Sequence, residues 1–308
     1  MRVIFLGTPA FAVGVLDRIA RSSHEVVCVV TQPDRECGRG KKVSACPVKV
    51  YAEEHGIPTR QYEKINLCVE DLRAFDADIM VTCAYGQILR QQVLDLCKHG
   101  IINVHASLLP AYRGSSPVEW ALINGEKEVG VTIMQTELGV DTGAMILQRS
   151  IKLDGTENAA ETLEKLSVLG ADLIVEALDL IEKGKAVFTP QDENKATKCR
   201  MFVKEDGKLS FEKSAAEVHN FIRGINPRPG AFVFSEQGRI KVLRALPIVY
   251  RGGSKAGEIV EADPKKGLIV KCGEGYLKLL QIQGENAKPM SSEDYLRGKK
   301  LTVGKVFE

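Results

Sequence analysis

Two polar residues stand two positions apart in an otherwise apolar segment. The stretch INVHASLLPAYRG starts like a buried strand, and it places Asn103 and His105 among isoleucine and valine just before a loop. Residues two apart in a strand point to the same face of the sheet. An asparagine amide is a neutral donor that can hold a carbonyl oxygen as it gains negative charge, and a histidine can move a proton. A lone strand histidine is more often a structural core residue, but this pairing favours a site that acts on a carbonyl group.

A third candidate, Asp141, lies in the loop ELGVDTG between Gly139 and Gly143. A carboxylate near a histidine can take the proton that an attacking amine must lose. The sequence has no serine or cysteine in a nucleophile-elbow pattern, so it does not indicate a covalent enzyme intermediate. Together, the three residues predict direct acyl-type transfer between two bound substrates.

The segments that must position these residues alternate between strands and helices. Five short apolar runs, rich in β-branched residues, are typical of a parallel sheet covered on both faces; they span residues 2–7, 25–31, 77–84, 100–106 and 129–135. Amphipathic stretches separate them, and residues 157–184 indicate a long helix or a helical hairpin. This order predicts a doubly wound α/β fold. Ligands of such sheets bind outside the carboxyl ends of the strands. At that edge we expect Asn103, His105 and the segment AYGQIL to meet Asp141, whose loop follows the fifth run.

The pattern changes after residue 188. Residues 189–207 are polar and show no apolar period, so they are predicted to be a linker between a domain at 1–188 and a domain at 208–308. The second domain starts with a helix-like piece at 214–225. Short strand-like runs with glycine-centred turns follow it, and they predict a small β-barrel or sandwich.

Other classes of site are disfavoured. The first strand–helix junction, LGTPAFAV, has one glycine, with Thr8 as the expected N-cap and Pro9 at the first helical position. It is not a G-x-G-x-x-G pattern, which argues against a dinucleotide site. The eight cysteines include no C-x-x-C pair, and this favours buried reduced thiols over disulfides or zinc. With no signal-peptide pattern and no long apolar run, we expect a cytoplasmic protein without a membrane partner.

Charge is divided unevenly along a chain whose net charge is +2. Residues 1–207 carry 24 basic and 29 acidic side chains, a net charge of −5, whereas residues 208–308 carry 18 and 11, a net charge of +7. A basic final third on a mildly acidic body indicates that the two parts meet different partners, and a polyanion is the natural partner of the second. Taken by itself, this charge distribution is explained equally well by surface lysines that only keep the protein in solution.

Several of these segments resemble one known family. Asn103-Val-His105, the SLLP at 107–110 and Asp141 in VDTG are similar to the formyltransferases that use 10-formyltetrahydrofolate. With TQPDRECGRGKK and AYGQIL, the resemblance points to the branch of that family that formylates methionyl-tRNA for translation initiation. It runs the length of the chain, strongly over residues 1–150 and more loosely beyond 200. The sequence departs from the family at Arg228, where tryptophan is usual, and in CRMFV.

This resemblance implies a role for each segment. It implies that Asn103, His105 and Asp141 are the catalytic set of an enzyme that moves a formyl group from 10-formyltetrahydrofolate to the α-amino group of initiator methionyl-tRNA. The residues expected to bind the folate are Ser107, Leu108, Leu109, Pro110, Tyr85, Gly86, Gln87 and Ile88. The resemblance further implies a Rossmann-like domain followed by an OB-like barrel, with tRNA bridging the two. It implies no metal, no nucleotide cofactor and no obligate protein partner.

The resemblance implies a function for the basic loop at 34–42. Arg39, Lys41 and Lys42 are expected to contact the tRNA acceptor arm, with Lys204 as a further basic contact; without the resemblance, a solvated loop would be the better interpretation. Two other functions stay open. The acceptor could be a small amine, such as a glycinamide ribonucleotide or an amino sugar, but the basic loop disfavours it. The chain could also be an RNA-binding protein on an inactive scaffold, but the intact catalytic set disfavours that.

Overall fold

The computed structural model describes residues 1–37 and 42–308. These residues form two units, and each of them is assembled from three segments of the chain. Unit 1 comprises Met1–Ser115, Glu128–Ile151 and Leu163–Cys199, and unit 2 comprises Ser116–Lys127, Lys152–Thr162 and Arg200–Glu308. The segment expected to be a linker, 189–207, is therefore divided between the units after Cys199. The domain boundaries drawn from the sequence stay a prediction about how the chain folds.

Five of the eleven strands described in unit 1 follow the apolar runs of the sequence. In chain order they are β1 (Arg2–Gly7), β2 (Glu25–Thr31), β3 (Arg35–Cys37), β4 (Lys42–Ser44), β5 (Thr59–Gln61), β6 (Ile79–Cys83), β7 (Ile101–His105), β8 (Arg113–Gly114), β9 (Glu128–Gln135), β10 (Met145–Lys152) and β11 (Lys198–Cys199). All five strands predicted from the sequence are present.

The helices of the two units are likewise numbered along the chain. They are α1 (Ala10–Ala20), α2 (Pro47–Glu54), α3 (Val69–Arg73), α4 (Gln91–Leu94), α5 (Pro117–Ile123), α6 (Ala159–Glu182), α7 (Ala215–Ile225) and α8 (Ser292–Gly298). The segment that indicated a long helix or a hairpin is the single helix α6, 24 residues long. An ideal Cβ at Gly170 of α6 would lie 3.0 Å from a methyl of Val104, so this glycine brings α6 close to β7.

Within the described chain, seven strands of unit 1 form one sheet in the order β10-β9-β7-β6-β1-β2-β5. Strands β5, β2, β1, β6 and β7 pair in parallel, and the predicted mostly parallel, doubly wound sheet is confirmed. The fifth predicted strand, β9, runs antiparallel to β7, with Ile102 opposite Gln135 and His105 opposite Thr132. The carboxyl end of β9 therefore lies beside the amino end of β7.

The first strand–helix junction differs from its prediction. Pro9, and not Thr8, is the N-cap of α1, and it makes no side-chain cap hydrogen bond. The Thr8 hydroxyl instead donates to the carbonyl of Tyr85 at 3.1 Å and accepts from the backbone N–H of Gln32 at 3.4 Å. The prediction was wrong because this hydroxyl links the segments that follow β1, β2 and β6, and so is not available to cap the helix.

Unit 2 contains a small antiparallel sheet. Its strands are β12 (Phe232–Ser235), β13 (Gly238–Ile248), β14 (Ile259–Asp263), β15 (Gly267–Lys271), β16 (Tyr276–Gly284) and β17 (Met290–Ser291). They pair in the order β12-β13-β16-β15-β14, with β17 on β16, and form an antiparallel half-barrel, so the predicted small β-domain of barrel type is confirmed. The backbone of Glu308 bonds to Phe234 of β12, and that of Lys305 bonds to Ile259 of β14. The same short segment therefore covers both outer strands of the sheet.

Helices α5 and α7 pack against each other within unit 2. Helix α7 confirms the predicted helix at 214–225 and starts with a capping box, in which Ser214 bonds to the backbone of Glu217 and Glu217 bonds back. Gly224 of α7 allows the close approach, because an ideal Cβ there would lie 2.7 Å from the Ile123 side chain and 2.8 Å from the Glu119 carbonyl. None of the helices in the described residues is long and apolar enough to cross a membrane.

The prediction of buried thiols is confirmed for four of the seven cysteines whose side chains are described, and Cys46, Cys68 and Cys199 are only half-buried. Cys28, Cys83, Cys97 and Cys272 are buried free thiols. Burial raises the pKa of the Cys272 thiol to about 11 and that of Cys97 to about 11, because an apolar environment disfavours the thiolate. These cysteines are packing residues and not nucleophiles.

Candidate active site

Asn103 is held in one orientation by its neighbour on β6. The hydroxyl of Thr82 donates to Asn103 Oδ1 at 2.9 Å, and Thr82 itself is buried. The carboxamide oxygen is used in this bond, so the amide nitrogen is the group of this half-buried side chain that is left to bind a ligand. Within the described chain, that nitrogen has no hydrogen-bond partner. Asn103 therefore offers two N–H donors to a group outside the protein, as an oxyanion site requires.

His105 is buried, and both of its ring nitrogens face polar groups. Nε2 lies 3.0 Å from the carbonyl oxygen of Tyr112. A carbonyl only accepts, so Nε2 carries a hydrogen and donates. Nδ1 lies 3.6 Å from Asp141 Oδ2, which is too far for a direct hydrogen bond but within ion-pair distance. This arrangement leaves Nδ1 and the carboxylate as the two groups between which a proton can move.

Asp141 reaches His105 by an unexpected route. From the sequence, its loop was expected to leave a carboxyl strand end on the same edge as His105, but β9 is antiparallel to β7 and ends at the other edge. Residues 136–144 turn back instead, closed by a backbone hydrogen bond from Gln135 N–H to the Ala144 carbonyl. Asp141 has a φ of +52°, and its Oδ2 accepts from the backbone N–H of Gly114 at 2.9 Å. The loop thus brings all three predicted residues to one region.

A buried arginine supports this region, and the sequence analysis missed it. Arg113 donates from Nε to Gln191 Oε1 at 2.9 Å, and its two terminal nitrogens bond to the carboxylate of Glu193 at 2.7 and 3.0 Å. The hydrogen bond to Glu193 raises the pKa of Arg113, and the same bond lowers the pKa of Glu193. Gln191 and Glu193 belong to the segment expected to be a linker, and nothing in their pattern marked them as site residues.

The SLLP segment is a tightly bonded turn beside the site. The hydroxyl of Thr132 donates to the Ser107 carbonyl at 2.7 Å and accepts from the Leu109 N–H at 3.2 Å. Ser107 Oγ is used within the turn, since it donates to the Ala111 carbonyl at 2.7 Å. Leu109 and Ser107 are buried, the bond to Pro110 is cis, and Leu108 packs over Gly130. The segment therefore presents a fixed backbone, with its one hydroxyl already bonded.

The AYGQIL segment offers less side-chain surface than expected. Tyr85 is buried in the core, where burial raises its pKa, and its hydroxyl has no partner among the described residues. Gln87 is bonded at both ends of its amide, to the Tyr62 carbonyl and to the Ile65 N–H. Ile88 is 73% exposed, and Gly86 has a φ of +92° that favours glycine. Of the predicted folate residues here, Ile88 has the accessible side chain.

The residues predicted to contact tRNA are only partly described. Lys204 is exposed in a short 3₁₀ turn, Lys204–Gly207. Arg39 and Lys41 lie outside the described residues, as does the side chain of Lys42. Arg228, where the resemblance expects tryptophan, is exposed after the end of α7.

Comparison with known proteins gives matches over nearly the whole chain. A formyl transferase family model matches residues 1–178, and a model of the formyl transferase C-terminal domain matches residues 201–300. The methionyl-tRNA formyltransferase of Ruminiclostridium cellulolyticum is 42% identical over 99% of this chain and 98% of its own length. That of Agathobacter rectalis is 43% identical over 100% of this chain and 99% of its own length.

Solved structures share the fold at lower identity. The N-formyltransferase from Helicobacter canadensis, in complex with folinic acid and dTDP-3-aminofucose, has a TM-score of 0.69 at 18% identity, over 90% of this chain and 98% of that one. HypX from Aquifex aeolicus, in complex with tetrahydrofolic acid, has a TM-score of 0.64 at 17% identity, over 96% of this chain and 47% of that one. The full-length identities and the two matched domain models show that the chain belongs to the methionyl-tRNA formyltransferase family.

Proposed function

We propose that the protein transfers the formyl group of 10-formyltetrahydrofolate to the α-amino group of initiator methionyl-tRNA, giving N-formylmethionyl-tRNA and tetrahydrofolate. The observation that carries this proposal is the arrangement on β7 and its neighbouring loop. The amide nitrogen of Asn103, which has no hydrogen-bond partner among the described residues, lies two residues from His105, and Asp141 faces the histidine at 3.6 Å. Membership of the methionyl-tRNA formyltransferase family supports the choice of acceptor.

In this reaction the neutral amine of the methionyl group attacks the formyl carbon. The electron pair of the carbonyl moves onto the formyl oxygen, and the N–H groups of Asn103 donate to that oxyanion. Removing one such donor costs about 10²–10³ in rate in other enzymes. Because Nε2 of His105 already donates to Tyr112, His105 assists the oxyanion through its charge when protonated and not through a direct hydrogen bond.

The reaction also requires an acceptor for the amine proton and the departure of tetrahydrofolate. The attacking nitrogen loses its proton to Asp141, with Nδ1 of His105 as the neighbouring proton carrier. As the tetrahedral intermediate collapses, the bond between the formyl carbon and N10 of the folate breaks. N10 takes up the proton and tetrahydrofolate leaves. Proton transfer by positioned groups of this kind contributes roughly 10²–10⁴ in rate.

The folate co-substrate is proposed to lie along the SLLP and AYGQIL segments, residues 107–110 and 85–88. The rigid turn of SLLP supports this placement, since its backbone is fixed by Thr132 before any ligand arrives. The solved complex of the Helicobacter canadensis N-formyltransferase with folinic acid agrees with folate chemistry on this fold. Tyr85 is proposed to support the segment from the core rather than to touch the pterin.

The tRNA is proposed to contact the basic loop and unit 2. Residues 208–308 carry a net charge of +7, and the exposed Lys204 lies just before them. Phosphate contacts of this kind bind without reading sequence, so they would supply affinity and orientation for the acceptor end.

The experiment that tests this function offers two acceptors to the purified chain. With 10-formyltetrahydrofolate as donor, formylation of methionyl-tRNA and of glycinamide ribonucleotide is measured separately. We expect transfer to methionyl-tRNA and none to the small amine. Transfer to the ribonucleotide alone would assign the chain a small-amine substrate, and folate-independent RNA binding without transfer would leave it a binding protein.

A further inference from the structure

Gln191 makes three hydrogen bonds that join two loops of the candidate site. Its Nε2 donates to the backbone carbonyls of Asp141 and Gly143, both at 2.8 Å. Its Oε1 accepts from Arg113 Nε at 2.9 Å. The amide orientation is fixed, because the two carbonyls can only accept and the guanidinium can only donate. Both N–H groups and the oxygen of the Gln191 amide are therefore bonded within the site.

These bonds close a ring around Asp141. Gln191 holds the backbone of Asp141, and the N–H of Gly114 holds its carboxylate at 2.9 Å. Gly114 follows Arg113 in the chain, and Arg113 is bonded to Gln191. The position of the carboxylate relative to His105 is thus determined from two sides.

The loop needs such support. Asp141 has a φ of +52°, a left-handed conformation that is unfavourable for L-residues, although Asp and Asn adopt it more readily than most. An ideal Cβ at Gly143 would lie 1.9 Å from the Gln135 carbonyl oxygen, so the turn leaves no room for a side chain at that position. A strained loop keeps one conformation only when its surroundings over-determine it.

We propose that Gln191 is a positioning residue for catalysis, which fixes the Asp141 carboxylate against His105 through the backbone of its loop. The proposal rests on the proposed formyl transfer, in which Asp141 takes the proton of the attacking amine. It also gives residues 189–199 a function, since this segment carries the group that sets the catalytic geometry and is not a passive connection.

Replacing the glutamine should lower turnover more than substrate binding. Gln191→Ala removes all three bonds, and Gln191→Glu keeps the shape and the acceptor for Arg113 but removes both donors. A displacement of about 1 Å can cost 10²-fold, so we expect kcat to fall roughly ten- to hundredfold with the KM for the folate nearly unchanged. The control Gln283→Ala removes one amide-to-carbonyl bond in unit 2, to Ala287 at 2.8 Å, and should keep wild-type kcat.

A double-mutant cycle separates positioning from general loss of stability. In an Asp141→Asn background, adding Gln191→Ala should cost less than about twofold, because the residue through which Gln191 acts is already disabled. Equal losses in both backgrounds would overturn the proposal. The proposal would also be overturned if both Gln191 variants kept a kcat within about twofold of wild type, because so small a change is less than the contribution of one neutral hydrogen bond.

Hydrogen exchange tests the same inference without activity. In the free protein, Gln191→Ala should speed exchange of the amides at 136–144, and Gln283→Ala should not. Unchanged exchange in this loop would reject Gln191 as its support, whatever the enzyme does. If the wild-type chain fails to formylate methionyl-tRNA while the loop loosens as expected, the proposed function fails and the positioning of Asp141 stands.

Discussion

Asp141→Asn isolates the chemical role of the carboxylate from its structural role. Asn tolerates the left-handed conformation that Asp141 adopts at a φ of +52°, whereas Ala would add strain. An amide oxygen can still accept the Gly114 N–H that now bonds to Oδ2 at 2.9 Å. The loop should therefore keep its shape. What is lost is the negative charge 3.6 Å from His105 Nδ1 and the ability to take a proton.

The expected loss follows from that difference. If Asp141 accepts the proton of the attacking amine, removing it should lower kcat by about 10²–10⁴. Asp141→Ala should lose as much activity and some stability as well, because it gives up the Gly114 bond and strains the backbone. Single-turnover formylation of methionyl-tRNA measures the chemical step, and calorimetry measures folate affinity, which should change much less.

Asp76→Asn is a matched control in the same unit. Asp76 is exposed and has a φ of +47°, so it presents the same exchange in the same backbone conformation away from the site. Its kcat should equal that of wild type. If Asp141→Asn kept more than about a tenth of wild-type turnover, the loss would be smaller than removal of a proton acceptor should cause, and Asp141 would not be the base.

Three further predictions address other parts of the molecule. Asn103→Ala should lower kcat about 10²–10³ with folate affinity by calorimetry nearly level, and near-normal turnover would remove it from the oxyanion site. Neutralising Arg39, Lys41 and Lys42 together should raise the KM for methionyl-tRNA and flatten its salt dependence; an unchanged salt slope would mean the loop does not touch RNA. Gly224→Ala should lower the melting temperature, because its methyl would lie 2.8 Å from a backbone oxygen of α5, and an unchanged melting temperature would show that the helices adjust.

The fold and the central residues of the site followed from local patterns. Apolar β-branched runs predicted five strands of unit 1, because burial on both faces leaves little freedom in residue type. Asn103 and His105 stood out because polar side chains two apart in such a strand must share a face. Helix α7, Ala215–Ile225, matches the helix-like piece predicted at 214–225.

The supporting contacts could not be predicted, because they depend on which segments meet. Thr82 looked like any β-branched strand residue until its hydroxyl was seen to orient Asn103. The direction of β9 is set by its pairing with β7 and not by its own composition, so the route to Asp141 was wrong in the sequence analysis. Gln191 is an ordinary polar residue in a polar segment, and only the folded loops give it three partners.

The three-segment build of unit 2 limits how this family can exchange parts by recombination. A single crossover near residue 200 would join the C-terminal segment of one parent to helix α5 of another. Trp120 of α5 stacks on Phe202 at 4.8 Å between ring centroids, and Gly224 of α7 fits against Ile123 with no room for a methyl. A chimaera made at one junction would therefore have mismatched surfaces inside one unit. Transplanting unit 2 with its internal packing intact would require three exchanged segments together, Ser116–Lys127, Lys152–Thr162 and Arg200–Glu308.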